Sequence, residues 1–352
     1  MRQAFPNPAR PHVPVLHFLA NVAIQIAVVL LIAGCSVNPV TGEKELVMVS
    51  ESQEIDIGRH NYAPMQQAEG GVYDLDPTLT AYVRQVGSRL AAVSDRPLPY
   101  EFVVLNNSVP NAWALPGGKI GINRGLLSEL GSEAELAAVL GHEIVHAAAR
   151  HSARQMSRGV LLQGLVLATV IATSDSDYGG LAVGGAALGA QLVSSRYGRS
   201  AELESDRYGM QSMFRAGYDP QGAVHLHETF VRLNEAQRQD WWSGLFASHP
   251  PSPERVQANI ATAAALPGGG RLGVEEYRAA LRRARKVEPA YAAYDEGRKL
   301  LRDRDTTRAL ELARAAIERY PQEANVYALR GDAHFIEGQF ERAVTAYDAA
   351  IT

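Results

Sequence analysis

The chain has 352 residues, 46% of them hydrophobic, enough apolar content for more than one packed core. Its formal net charge of −4 lacks the basic surplus of a nucleic-acid binder, so nucleic acid is not expected among its partners. A single cysteine leaves no pair for an intramolecular disulfide, so stability must come from packing and metal.

Arg2 and Arg10 precede the run NVAIQIAVVLLIAGCS, Asn21 to Ser36, whose apolar stretch ends in small residues. A basic start, a short apolar run and a small-residue end predict a signal peptide over 1–34. The run is short for a hydrocarbon layer of about 30 Å. Leu31-Ile32-Ala33-Gly34-Cys35 resembles a bacterial lipobox. That resemblance implies that Cys35 is lipidated and becomes the mature N-terminus, with Ser36 favouring outer-membrane sorting. The expectation is a protein anchored to the membrane by its N-terminal lipid, on the periplasmic side of the bacterial outer membrane. Residues 35–49 read as a tether with a turn at Pro39 to Gly42.

Ser50 can cap a helix, with Gln53 three residues on completing a capping box. Pro77 to Ser94 carries apolar residues at helical spacing. Tyr100 to Asn107 is strand-like, and NAWALPGGKIGINRGLLSEL places two more short strands around Gly117-Gly118. Ser132 to Ser157 reads as one long helix capped by Ser132, with Glu135 at the box position. Within it, VLGHEIVHAAARH puts His142 and His146 four apart and therefore on one face. His151 falls nearly opposite His142 and is not expected to join them. Two histidines on one helical face with Glu143 beside the first form H-E-x-x-H, the arrangement of a zinc hydrolase.

Residues 159–193 form two Gly- and Ala-rich apolar segments split by a polar turn, expected as a buried helical hairpin because neither reaches membrane-span length. YGRSAELESDRYGMQSMFRAG follows as a helix ending near Gly217, and residues 266–287 read as a linker opening on LPGGGRLG. Beyond it Gly297 and Gly331, Ala309 and Ala343, and Ala316 and Ala350 are each 34 apart (331−297, 343−309, 350−316). That period of small residues is the tetratricopeptide signature, predicted for 288–352, and Pro321 stands where the repeat places its proline. Ala313 replaces the aromatic of the first repeat, while Tyr347 supplies it in the second.

A hydrolytic zinc takes three protein ligands and leaves one position open. A histidine six residues after His146 would supply the third, but Ser152 stands there. Glu202, Glu204 and Asp206 offer a carboxylate instead; Glu202 and Asp206 share a face, and Glu204 points away. One carboxylate could bind the metal while the other orients a ligand imidazole, or all three could be a solvated face paired with Arg199 and Arg207. GHEIVHAAARHS together with SRYGRSAELESDRYG resembles the HtpX-like and CAAX-prenyl-protease-like zinc metallopeptidases, gluzincins that pair H-E-x-x-H with a downstream E-x-x-x-D. NAWALPGGKIGINRGLL looks like the strand segment before the zinc helix of that family, and SHPPSPERV like its histidine-proline segment. The resemblance covers about residues 40–260.

By this resemblance His142, His146 and Glu202 bind one Zn2+ per chain, Glu143 is the catalytic base and Asp206 stands behind the ligands. The fold implied is α+β: a predominantly helical zincin-like metalloprotease domain with a small sheet over 50–265, then an all-α tetratricopeptide-like region. Relatives of the lipoprotein type act in envelope quality control, which implies polypeptide substrates, unfolded envelope proteins above all, and a protein partner on the repeats. The strand Lys119, Ile120, Gly121, Ile122 could pair with an extended substrate through main-chain hydrogen bonds. The alternative is a non-catalytic chaperone or assembly factor of outer-membrane proteins acting through its repeats; an intact Glu143 argues against it. His249, on a loop stiffened by Pro250, Pro251 and Pro253, has three expectations: a latch on the open metal position, an oxyanion contact, or a surface residue packed on Trp241 or Trp242.

Overall fold

The computed structural model of the chain describes residues 35–161, 197–235 and 244–351. The fold is α+β, mostly helical with a small sheet, and an all-α region closes it. β1 (Cys35–Val37) and β2 (Lys44–Leu46) pair antiparallel across a turn ending at Gly42, which takes φ 75°. The expected tether is thus a hairpin with a defined register. α1 (Glu51–Ala68) follows with the anticipated capping box between Ser50 and Gln53. α2 (Pro77–Ala91) starts with proline behind the Asp76 cap and buries Leu79, Val83, Val86 and Leu90 along one stripe.

β3 (Glu101–Leu105), β4 (Ala112–Leu115) and β5 (Lys119–Asn123) form one sheet in the order β3-β5-β4, with β5 parallel to β3 and antiparallel to β4. This corrects the expected substrate strand. Lys119, Ile120, Gly121 and Ile122 lie on the central strand, whose two edges are already paired, so no third chain can add there. The outer edge of β3 is covered in part, since Tyr73 N donates to Val104 O and Asn106 N to Gly71 O. Among the described residues β4 pairs on one side only.

α3 (Arg124–Glu129) leads into α4 (Glu133–Ala148), capped by Ser132 through Glu135 N. Every α4 residue except His142 is buried, which makes it a core helix, and β4 packs against it. The expectation of one helix from Ser132 to Ser157 fails at Arg150, which takes φ 61°; helix resumes over 151–161. A left-handed backbone costs arginine about 1–2 kcal/mol. Its side chain is anchored on three sides: Nε donates to Glu54 Oε1 (2.6 Å), Nη1 to Ser36 Oγ (2.7 Å) and Nη2 to Val49 O. Buried Glu54 also accepts from Arg96 Nη1 at 2.9 Å.

α5 (Arg199–Arg215) ends before Gly217, as expected, and crosses α4 where two glycines meet. A Cβ on Gly209 would lie 3.0 Å from His142 N, and one on Gly141 would lie 3.1 Å from Gly209 O. Backbones this close bring the α5 carboxylates over the α4 histidines. α6 (Gln221–Glu235), the single turn α7 (Leu245–Ser248) and α8 (Pro253–Ala265) complete this part. Pro253, expected to stiffen a loop, instead opens α8, where its missing N–H would be unpaired anyway.

The predicted linker is only partly one. α9 (Val274–Ala280) and the start of α10 (Arg282–Arg302) are helical, and Tyr277, Leu281, Ala284 and Tyr291 are buried in the same core as the sheet. α11 (Thr306–Arg319), α12 (Ala324–Ile336) and α13 (Phe340–Ile351) follow as packed helices. Small residues at the 34-residue period lie at their contacts: Gly297 faces Leu329, Gly331 faces Tyr347, and Ala309 and Ala343 are buried. No helix among the described residues is long and apolar enough to cross a membrane. The predicted signal peptide, nearly all of the apolar hairpin at 159–193, and Trp241 and Trp242 lie outside the described residues.

Candidate metal centre

Four side chains converge where α4, α5 and the end of α7 meet. His142 Nε2 is 2.9 Å from His146 Nε2 and 3.2 Å from His249 Nδ1. Glu202 brings Oε1 to 3.4 Å from His146 Nε2 and Oε2 to 3.6 Å from His142 Nε2. The same two oxygens lie 3.1 and 3.2 Å from His249 Nδ1. These four residues could hold a metal ion, their donor atoms all within 4.8 Å of one another. Zinc bonds of about 2.0–2.1 Å in a tetrahedron put ligand atoms about 3.3 Å apart. The observed spacings bracket that distance, and an imidazole–carboxylate set suits a borderline-soft divalent ion. His249 is 5% exposed, inside the cluster, so the surface alternative for it is overturned.

The electrostatics match a site built to be shared by a cation. Burial holds the His146 imidazole well below its ordinary range, so it is a neutral donor at physiological pH. Burial alone would raise the Glu202 carboxyl, but His249, followed by hydrogen bonding from His146, holds it well below the usual carboxylate range. Burial would likewise lower His249, yet Glu202 and Glu143 beside it raise it above the ordinary value. Glu143 is 1% exposed, with Oε1 3.5 Å from His249 Nε2 and Oε2 buried without a hydrogen-bond partner. Burial therefore raises its carboxyl, with His249 opposing. A buried, unpartnered carboxylate oxygen next to a metal-sized cluster is placed to handle a proton. Beside it runs an apolar cavity lined by Val139, Met210, Met213, Leu226, Phe230 and Leu245.

Asp206 stands behind the cluster, where His142 Nδ1 lies 2.9 Å from its Oδ1. Glu202 and Asp206 both reach the α4 histidines of the cluster, as their four-residue spacing predicts, whereas Glu204 lies against His151; that spacing gave no hint of a further partner. That partner is Arg255 on α8, whose Nε and Nη2 each donate to Asp206 at 2.7 Å and whose Nη1 lies 2.9 Å from Glu202 Oε2. Nη1 also donates to Pro250 O, next to His249. Burial would raise the Asp206 carboxyl, but Arg255 and then His227 hold it far below the carboxylate range. The signal was present: two buried carboxylates one helical turn apart need a cation, and Arg255 lies within SHPPSPERV.

His151 is the second miss. Past the helix break at Arg150 its Nδ1 lies 2.9 Å from His146 Nδ1, on the side of that ring away from the cluster. Tyr197 stacks on His146 with ring centroids 3.9 Å apart, its hydroxyl 2.8 Å from Ser152 Oγ. Neither contact is legible from spacing: the His151 contact lies past the helix break, and Tyr197 is fifty-one residues from His146 in the chain (197−146).

Residues 77–262 match Peptidase family M48. The chain is 34% identical to the "Beta-barrel assembly-enhancing protease" of Yersinia pestis over 189 residues, 52% of this chain and 38% of that protein. It is 28% identical to the protein of the same name from Escherichia coli K12 over 214 residues, 59% of this chain and 43% of that one. It is also 35% identical to the "Mitochondrial metalloendopeptidase OMA1" of Schizosaccharomyces pombe over 180 residues, 51% of each chain. The match thus spans about two fifths to one half of the length of these relatives.

Proposed function

The chain belongs to peptidase family M48, and from that premise we propose that it is a zinc-dependent endopeptidase of the bacterial cell envelope. Its substrates in this reading are unfolded or misassembled envelope proteins. One observation carries the proposal: His142, His146 and Glu202 meet within ligand distance of one another beside the buried, unpartnered Oε2 of Glu143. The three converging residues hold the ion, and Asp206 fixes the His142 ring. A bound zinc supplies Lewis acidity toward a substrate carbonyl and lowers the pKa of a water molecule to about 7. Glu143 takes the proton of the attacking water and returns it to the leaving nitrogen. The raised affinity of its carboxyl for a proton suits the first half of that task. An extended substrate finds its main-chain partner at β4, the strand packed against α4, since β5 has no free edge.

In the same reading Cys35 carries the lipid that anchors the chain to the periplasmic face of the outer membrane. The helices from α10 onward act as tetratricopeptide repeats that hold a protein partner. Purified protein should contain one zinc per chain and cleave casein, and a chelator should remove both properties together. Cleavage that survives complete metal removal overturns the reading. One bound zinc with no cleavage moves the chain to the chaperone class.

We read His249 as a latch. Its Nδ1 fills the fourth donor position of the cluster, and the loop behind it is tied down by Arg255 through Pro250 O. A latch closed about nine-tenths of the time would hold activity about tenfold down. His249→Ala is therefore expected to raise basal casein cleavage by about that factor. A fall in cleavage at unchanged zinc content would instead assign His249 to the oxyanion.

A further inference from the structure

His142 is oriented by Asp206, but His146 has no carboxylate of its own, and its second ring nitrogen faces another imidazole. His146 Nδ1 lies 2.9 Å from His151 Nδ1, so one of the two rings donates and the other accepts. A metal-binding Nε2 on His146 requires its proton on Nδ1, which makes His151 Nδ1 the acceptor and puts the His151 proton on Nε2. That nitrogen lies 3.3 Å from Glu204 Oε1, without the alignment of a strict hydrogen bond. The same Glu204 oxygen accepts from Asn38 Nδ2 at 2.8 Å. Asn38 is 1% exposed and sits at the turn of the β1–β2 hairpin, three residues after Cys35.

We propose that the hairpin of residues 35–46 is part of the metal centre, with Asn38, Glu204 and His151 acting as positioning residues that hold the His146 ring in its metal-binding orientation. The hairpin grips the segment that carries His151 at further points. Ser36 Oγ accepts from Arg150 at the helix break, Glu45 pairs with Arg154, and just beyond the hairpin Met48 N donates to Ser157 Oγ. Glu204, expected from its facial position to matter little, is the link between the two. The arrangement connects the stretch next to Cys35 to a ligand on α4, so displacement of the hairpin would release the His146 ring.

This inference rests on the zinc reading of the site, and its test separates the two. Zinc release from the loaded full-length protein into excess chromogenic chelator is followed for wild type, Asn38→Asp, Glu204→Ala and the double variant. Asn38→Asp keeps the oxygen to which the Val40 and Thr41 amides donate, so the turn stays intact, but it replaces the donor aimed at Glu204 with a carboxylate oxygen that repels it. Loss of an outer-shell partner typically weakens metal binding about 10–100-fold. Each single variant should release zinc about tenfold faster than wild type, at the low end of that range. Asn38 Nδ2 also donates to Glu45 Oε1, but at 3.3 Å against 2.8 Å to Glu204, so the double variant should release zinc little faster than Glu204→Ala. Wild-type release from Asn38→Asp, or rates that multiply in the double variant, overturns the hairpin's part. A wild-type chain that holds no zinc overturns the reading of the site itself.

Discussion

Glu143→Gln is expected to lower casein cleavage by about 10²–10⁴-fold, the range in which a positioned general base contributes. That corresponds to about 3–5 kcal/mol of lost transition-state stabilisation. Zinc content should stay at one per chain, because Glu143 is not among the four converging donors. The substitution keeps the volume of the side chain and removes a carboxylate that burial already makes expensive to ionise. Its Oε2 has no hydrogen-bond partner to lose, so the metal-free variant should melt no lower than wild type. Loss of zinc from this variant would mean that the ligands are wrongly assigned. Retained cleavage would remove Glu143 from the proton transfer.

The second large effect is expected at Arg255. Its guanidinium, 6% exposed, spans Asp206 and Glu202 with three contacts of 2.7–2.9 Å. Removing one partner of a buried ion pair leaves uncompensated charge, and such losses run to about 3–5 kcal/mol. Against a total stability of about 5–15 kcal/mol, that is a large fraction, visible as a melting temperature lower by on the order of 10 °C. Arg255→Ala should therefore destabilise the metal-free protein severely. A bound divalent ion would itself neutralise part of the Glu202 charge, so the zinc-loaded variant should lose less. Arg255→Lys should rescue only partly, because a point charge cannot span two carboxylates as a planar fork does. Thermal melts of the metal-free and zinc-loaded forms of both variants check this. Equal losses with and without zinc would show that Arg255 serves the fold without bearing on the site.

The sequence by itself determined what depends on local geometry. A helix repeats its faces every three to four residues, so His142 with His146, and Glu202 with Asp206, were bound to project together wherever the helices went. Caps act within one turn, which is why Ser50, Ser132 and the stop before Gly217 were legible. Contacts between segments distant in the chain were decided only by the tertiary structure. Strand order put β5 in the middle of its sheet, because pairing partners are chosen by packing and not by the strand's own residues. The crossing at Gly141 and Gly209 selected which α5 face meets α4. The break at Arg150 has no local signal, since arginine is a poor left-handed residue; anchors from Ser36, Val49 and Glu54 hold it there. Past that break His151, which uninterrupted helical spacing would set opposite the site, ends against the back of a ligand ring.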